Sequence, residues 1–425
     1  MERISIVIPA LNEEKTIINV INELKKSEYI SEIIVVDNNS SDNTAKLSKE
    51  NSAKVIFCKE IGYGYALKKG ILEAKNRLVF KIDADIKNVD YKWIELLYKN
   101  MVNEQSSLVK TYWENEKDPM PVTNLVAKPL LKYHYSSLSD IKMPISGIYL
   151  FNKSLLNIEH MQNTFALDLD ILISIKKLGY KISQVSLGKV YDNLKPISNY
   201  SNMSYELISF INIKKNYDKS VLFFLAHPDD AEIWCGGLIS KYSLNHSKII
   251  IVIATSNKIR KEESLRIKTI FPEIEIVFMN NIELSNFYNR KNIDTLHDIV
   301  KKNQPDIFIT HHKDDIHIDH KLCFDITSSV FLKLDRDLLP KKFLMCNSYF
   351  QDNHNIFNPN IYIDISMVMD IKLKLIDNFI SQDTEYWKNM IIKIDSLNGL
   401  KSSVKYAEAF EEYQFYTINR ATETI

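Results

Sequence analysis

Short β-branched apolar runs alternate with longer amphipathic stretches from the first residues of the chain onward. Ile4 to Ile8, Glu32 to Val36, Lys54 to Phe57 and Leu78 to Ile82 have strand length, and the segments between them carry helical patterns. This alternation predicts a mainly parallel α/β sheet. A second series opens at Val221 to Leu225, continues at Lys248 to Ala254 and Ile274 to Phe278, and reaches Asp306 to Thr310. Two sheets imply two cores.

Between the two series, Asn193 to Ser204 holds Pro196 and several Ser and Asn residues, and Tyr205 to Lys215 suits a connecting helix. The expected division is a first domain over 1–203, a connecting segment over 204–219 and a second domain over 220–425. The length of 425 residues agrees, being more than one ordinary core accommodates and suited to two of about 200 residues each. No fixed-period repeat is visible.

Composition narrows the function classes. Apolar residues at 45% and charged residues at 25% exclude disordered and fibrous chains. Basic and acidic residues balance at 54 each, so there is no broad positive field for nucleic acid or anionic lipid, and an acidic ligand must be held locally. Cys58, Cys235, Cys323 and Cys346 form no CxxC pair, as expected of thiols in a reducing compartment. No signal-peptide pattern opens the chain, and its apolar runs fall far short of the ~20 residues that cross a bilayer. These features predict a cytoplasmic enzyme without a transmembrane segment.

Polar clusters stand at the ends of the first strands. The first runs into Pro9-Ala10-Leu11-Asn12-Glu13-Glu14, the second into Asp37-Asn38-Asn39-Ser40, and the fourth into Asp83-Ala84-Asp85. The carboxyl edge of an open α/β sheet is where ligands bind, and the following helix N-termini suit phosphates. Asp37 can accept hydrogen bonds from a base or ribose. Asp83 and Asp85 are hard oxygen ligands suited to Mg²⁺ or Mn²⁺ carrying a diphosphate. Asp168 and Asp170 open a helix that ends at Gly179; both also suit the helix macrodipole.

The second series begins with a strand that enters His227-Pro228-Asp229-Asp230-Ala231-Glu232, an imidazole and two carboxylates at one strand end. Past Asp306 to Thr310 comes His311-His312-Lys313-Asp314-Asp315-Ile316-His317-Ile318-Asp319-His320, which can supply a further imidazole and acid/base groups. Zinc on three protein ligands keeps a position open for water, which can then attack an amide carbonyl.

The order of the first-domain pieces, with Gly62-Tyr63-Gly64-Tyr65-Ala66, resembles family 2-type glycosyltransferases of the GT-A fold over about residues 1–190. Val122 to Leu131, Ser146-Gly147 and Leu187-Gly188 narrow that resemblance to glucosyl-3-phosphoglycerate synthases and their relatives. The resemblance implies a Rossmann-like GT-A domain, a UDP-sugar donor, retention of configuration and a divalent metal. It places Pro9, Asn12, Glu13, Asp37, Lys68 and Asp83 at the donor, Asp83 and Asp85 on Mg²⁺ or Mn²⁺, and Asp168 on the acceptor side. Asp192 stands where that group carries a metal-assisting His, and is expected to replace it.

The second-domain motifs resemble the PIG-L/LmbE-like N-acetylglucosaminyl deacetylases over about 220–415, another Rossmann-like fold. Supporting pieces are Arg260 with Glu263, Ile361 to Ile365 with Lys372 and Lys374, Ser381-Gln382 and Tyr406 to Phe410. By motif position the resemblance implies zinc on His227, Asp230 and His320, Asp229 as general base, His317 at the tetrahedral intermediate, and Asp319 orienting an imidazole. Taken together, the two resemblances lead us to expect transfer of an N-acetylated sugar, best UDP-GlcNAc, to a small polar acceptor, followed by removal of the acetyl group. The expected partners are then a nucleotide sugar and a small-molecule acceptor, with no nucleic acid and self-association into a homodimer left open.

Overall fold

The computed structural model describes residues 2–115, 120–193, 196–281, 288–347 and 357–414. The chain forms two compact units, Met1–Lys215 and Asn216–Ile425. In the first, β1 (Ile4–Ala10), β2 (Ile30–Asp37), β3 (Lys54–Phe57), β4 (Leu78–Lys81), β5 (Leu108–Tyr112), β6 (Tyr149–Asn152) and β7 (Ile182–Ser186) alternate with α1 (Ile17–Leu24), α2 (Thr44–Glu50), α3 (Tyr63–Glu73), α4 (Lys92–Glu104), α5 (Lys128–His134), α6 (Leu167–Lys177) and α7 (Ile197–Asn216). The sheet order is β3-β2-β1-β4-β6-β5-β7, with β6 antiparallel to both neighbours.

The local reasons are direct. All seven residues of β1 are buried, as an unbroken apolar run requires when helices cover both faces of a sheet. Helix α1 buries Ile17, Val20, Ile21 and Leu24, the stripe that 3.6-residue periodicity places on one side. Segment 204–219, expected as a connection, lies within α7 as far as Asn216, and α7 buries Leu207, Phe210 and Ile211 in the core of the first unit. Its Lys214 pairs with buried Asp170 at 2.7 Å. Apolar positions on this helix were masked in the sequence by the surrounding Asn, Ser and Lys residues.

The second unit contains β8 (Ser220–Leu225), β9 (Lys248–Thr255), β10 (Glu275–Asn281), β11 (Ile307–His311), β12 (Lys342–Cys346), β13 (Ile361–Asp364) and β14 (Ala407–Glu412), with α8 (Asp230–Leu244), α9 (Lys258–Leu265), α10 (Arg290–Asn303), α11 (Ile318–Lys333), α12 (Met369–Ile376) and α13 (Thr384–Ser402). The order is β10-β9-β8-β11-β12-β14-β13, with β14 antiparallel to β12 and β13. In each sheet the strand order reverses beside the first strand, between β1 and β4 and between β8 and β11. Those are the topological switch points where open α/β sheets form a crevice. Among the described residues no helix is long and apolar enough to cross a membrane.

Helix α8 is buried nearly all round, and its Gly236-Gly237 pair permits that. A Cβ at Gly237 would stand 2.5 Å from Cγ2 of Ile365, and one at Gly236 would stand 2.9 Å from Cγ of Lys372. The fully buried Lys372 ammonium lies 2.8 Å from both Asp395 and Glu408, and Glu408 also accepts the Gly237 and Leu238 N–H groups at 2.7 and 2.8 Å. Removing one member of such a network leaves uncompensated buried charge, which costs about 3–5 kcal/mol. Lys372→Met is therefore expected to destabilise the second domain by about that amount in urea denaturation, with the unfolding of the first domain unchanged.

Candidate active sites

At the first switch point, two loops lock together through their own polar groups. Asn12, at φ 58°, accepts the Ser41 N–H on Oδ1 at 2.8 Å, and the Glu13 N–H donates to Thr44 at 2.8 Å. Glu13 also accepts from Thr16 at 3.1 Å, and Asp37 accepts the Ser40 N–H at 3.3 Å. Pro9 sits inside β1, paired with Val36. Asn38 braces the loop ahead of α3 by donating to the Glu60 carbonyl at 2.7 Å and accepting the Gly62 N–H at 2.8 Å. Lys68, expected at the donor, instead donates to the Met161 carbonyl at 3.0 Å, and burial lowers its pKa.

Asp83 follows β4 and pairs with Lys81, which is fully buried. Gly147 is required against it, because a Cβ there would fall 1.7 Å from Asp83 Oδ2. Asp168 is also buried, yet each oxygen is met by a hydroxyl, Tyr63 at 2.7 Å and Tyr149 at 2.6 Å. The register pairs Tyr149 with Lys81 on one side and Lys110 on the other, and the Lys110 ammonium lies 4.3 Å from its ring. Burial lowers the Lys110 pKa to about 7. Asp83, Gly147, Asp168 and Asp192 line one cavity, whereas Asp170 turns to Lys214 and Ser174.

Asp85 is buried and does not line that cavity. Among the described residues, Asp83, Asp85 and Asp192 do not by themselves bring three donor atoms within 4.8 Å of one another. A diphosphate normally supplies the remaining oxygens to Mg²⁺ or Mn²⁺.

At the second switch point the side chains converge. Donor atoms of His227, Asp230 and His320 lie within 4.8 Å of one another. Asp230 opens α8, and its Oδ2 accepts the His227 N–H at 2.7 Å while facing His227 Nδ1 at 3.2 Å, His311 Nε2 at 3.2 Å and His320 Nε2 at 3.6 Å. Burial opposes its charge, but the three imidazoles hold its pKa well below the ordinary carboxylate value. Each imidazole named for the metal has its far nitrogen held by a carboxylate: His227 Nε2 by Asp319 at 2.9 Å and His320 Nδ1 by Asp315 at 2.8 Å. That is the outer arrangement that fixes ring orientation in metal sites. Burial, then His311, lowers the His320 pKa to about 4, leaving its lone pair available near neutral pH.

Asp229 caps α8 and pairs with Arg260 from α9, itself preceded by the Asn257 cap that accepts the Arg260 N–H at 2.9 Å. Burial and the neighbouring Asp230 raise the Asp229 carboxyl pKa against the pull of Arg260. His317 stands 5.0 Å from the His227 ring and 4.7 Å from the His320 ring, between centroids. Two imidazoles and a carboxylate fit zinc by donor type and spacing.

Sequence reasoning missed Asp315 and undervalued His311, whose ring stacks on His320 at 3.6 Å. Asp315 lay in plain view five residues before His320, but a second acidic residue in an Asp-Asp pair carries no positional signal of its own. The remaining supporting motif residues are structural: Glu263 accepts the Ser381 N–H and hydroxyl at 2.8 and 2.7 Å, and Lys372 and Glu408 belong to the network under α8.

Comparison with known proteins agrees with this division. The model of glycosyl transferase family 2 matches residues 5–145, and that of GlcNAc-PI de-N-acetylase, PIG-L, matches residues 222–331. Glucosyl-3-phosphoglycerate synthase of Petrotoga mobilis is 31% identical over 235 residues, 49% of this chain and 72% of that protein. The Mycobacterium tuberculosis protein of the same name is 27% identical over 258 residues, 54% of this chain and 80% of that protein. A crystal structure of the latter with Mn²⁺, UDP and glucosyl-3-phosphoglycerate is 29% identical, with a TM-score of 0.46, over 49% of this chain and 78% of that one. The chain therefore belongs, through its first domain, to the family 2 glycosyltransferases related to glucosyl-3-phosphoglycerate synthase, and its second domain is similar to PIG-L over residues 222–331.

Proposed function

We propose that the chain is a bifunctional enzyme which transfers an N-acetylated sugar, GlcNAc from UDP-GlcNAc, to a small polar acceptor with retention and then hydrolyses the acetamide. The observation that carries this reading is the cluster of His227, Asp230 and His320 donors with Asp229 next in the chain, a hydrolytic constellation in the same polypeptide as a sugar-transferring domain. A product of the first domain bearing an acetamide gives the second its substrate.

In the transferase, Asp83, Asp85 and Asp192 would hold the divalent ion that carries the donor diphosphate, and Asp168, its oxygens met by Tyr63 and Tyr149, would face the acceptor. In the deacetylase, His227 through Nδ1, His320 through Nε2 and Asp230 hold zinc, which supplies acidified water and polarises the amide carbonyl when bound. Asp229 takes the proton from the attacking water, with Arg260 orienting its carboxylate. His317 stabilises the developing oxyanion and protonates the leaving amine. Asp319 and Asp315 fix the imidazole tautomers. The names of the curated relatives favour a second reading, in which the donor sugar is glucose and the deacetylase serves a separate substrate.

Asp229→Asn separates these readings. Amide hydrolysis should slow by ~10²–10⁴-fold, the usual contribution of a positioned base. Given UDP-GlcNAc and acceptor, intact-product mass spectrometry should show an acetylated glycoside that the wild type converts to the free amine. A wild type that itself stops at the acetylated glycoside contradicts sequential action.

Asp83→Asn is expected to abolish UDP release while hydrolysis of a GlcNAc-containing amide stays near the wild-type rate. Transfer that survives the substitution removes Asp83 from the diphosphate site.

Zinc affinity should depend on pH through His227 rather than His320. Burial lowers the His227 pKa, but Asp230 and Asp319 outweigh it and raise the value above the ordinary one, while that of His320 is already down at about 4. Protons therefore compete with zinc at one imidazole, above the ordinary imidazole pKa. Apparent affinity in a chelator competition should climb about tenfold per pH unit until His227 is neutral, then level off. A slope of two protons would place His320 among the titrating groups.

A further inference from the structure

His227 stands between two sets of metal donors and turns one ring nitrogen to each. Its Nδ1 lies 3.2 Å from Asp230, on the side where Asp230 and His320 complete the set read above as the zinc site. Its Nε2 lies 2.9 Å from Asp319 Oδ2, and that oxygen lies 3.8 Å from His317 Nδ1. His227, His317 and Asp319 thus form a second set whose donor atoms fall within 4.8 Å of one another.

The spacing of the second set suits the same kind of ion. Ligands about 2.0–2.1 Å from a tetrahedral zinc stand about 3.4 Å apart. The carboxylate-to-imidazole distances of 2.9 and 3.8 Å bracket that value, as do the 3.2 and 3.6 Å of the first set. His317 Nδ1 accepts the Asp319 N–H at 3.3 Å, so this nitrogen carries a lone pair, and the bond is long enough for a divalent ion to displace. Access is open as well, since the side chains of His317, His227 and Asp319 keep 39%, 18% and 15% of their exposure. A third set among the described residues, His311, Asp315 and His320, is wholly buried, and the Ala226 amide already donates to His311 Nε2 at 3.0 Å.

We propose that the second domain binds a second, weaker zinc ion on His317, Asp319 and Nε2 of His227, so that the His227 ring bridges two ions, and that this second ion inhibits amide hydrolysis. The inference rests on the deacetylase reading above. The entering ion takes the place of the proton that Nε2 shares with Asp319, and that proton leaves to solvent. It is the weaker of the two because it displaces a proton and a helix cap and enters beside an ion of like charge. His317 then has its lone pair on the metal and no longer serves the substrate, while the first ion stays bound.

The test compares the full chain with His317→Asn in equilibrium dialysis against buffered zinc. Asn removes the imidazole but keeps the cap that His317 provides to α11. Both chains share the transferase site, so the difference between them reads the second domain alone. Wild type should bind one zinc more than His317→Asn, filled after a tight zinc that both retain. Hydrolysis of a GlcNAc-containing amide by the wild type should peak as the tight site fills and fall by about 10²-fold as the further zinc binds, the contribution of a positioned acid; it should recover when free zinc is lowered to the level that fills the tight site. Equal zinc counts in the two chains overturn the proposal, as does hydrolysis that stays level while the further zinc binds. A wild-type chain that holds no tight zinc loses the deacetylase assignment itself, and the bridged pair with it.

Discussion

A carboxylate withdrawn from water must be met by donors or cations, and that requirement organises both domains. Asp168 is met by two tyrosines, Asp170 by Lys214, and Glu408 by two helix amides and Lys372. Each solution draws residues from elements far apart in sequence, so the carboxylates act as assembly points as well as chemical groups. The same residue type thereby serves two purposes. Where the partners are hydroxyls beside a crevice, the carboxylate lines the cavity; where they are a lysine or backbone amides, it braces the fold.

This distinction explains what the sequence revealed and what it hid. The first strands of each sheet were legible because they are buried on both faces and read as unbroken apolar runs. Strands β5, β6 and β7 were not, since β5 carries Lys110 in its midst, β6 is only four residues long and β7 is only partly buried. Helix α7 was read as a connection because polarity dominates its surface, although four of its side chains are buried in the first unit. The convergence of His227, Asp230 and His320 was legible, because these donors stand in two short segments at neighbouring strand ends. In the first domain Asp83, Asp168 and Asp192 come from three distant places, and pattern alone cannot say which of Asp168 and Asp170 turns inward.

Several residues that make the second domain resemble its family never approach the chemistry. Gly236 and Gly237 are needed because Lys372 and Ile365 press on α8, and Glu408 there accepts the buried Gly237 and Leu238 amides. Their spacing reports the way α8 is seated. Since α8 begins at Asp230, its seating also sets where that carboxylate stands relative to His311 and His320.

The antiparallel strand β6 has a consequence for how the first domain can vary. Its register sets Tyr149 between Lys81 and Lys110, and Tyr149 in turn holds one oxygen of Asp168. Sliding β6 by one residue would bring Ile148 or Leu150 to that row and turn the hydroxyl to the opposite face of the sheet. Length changes between Gly147 and Asn152 therefore reach the cavity lined by Asp83 and Asp168 at once, whereas the stretch from Lys153 to Asn163, beyond the strand, can lengthen without disturbing the row. Diversification of this domain is channelled into one side of a single strand.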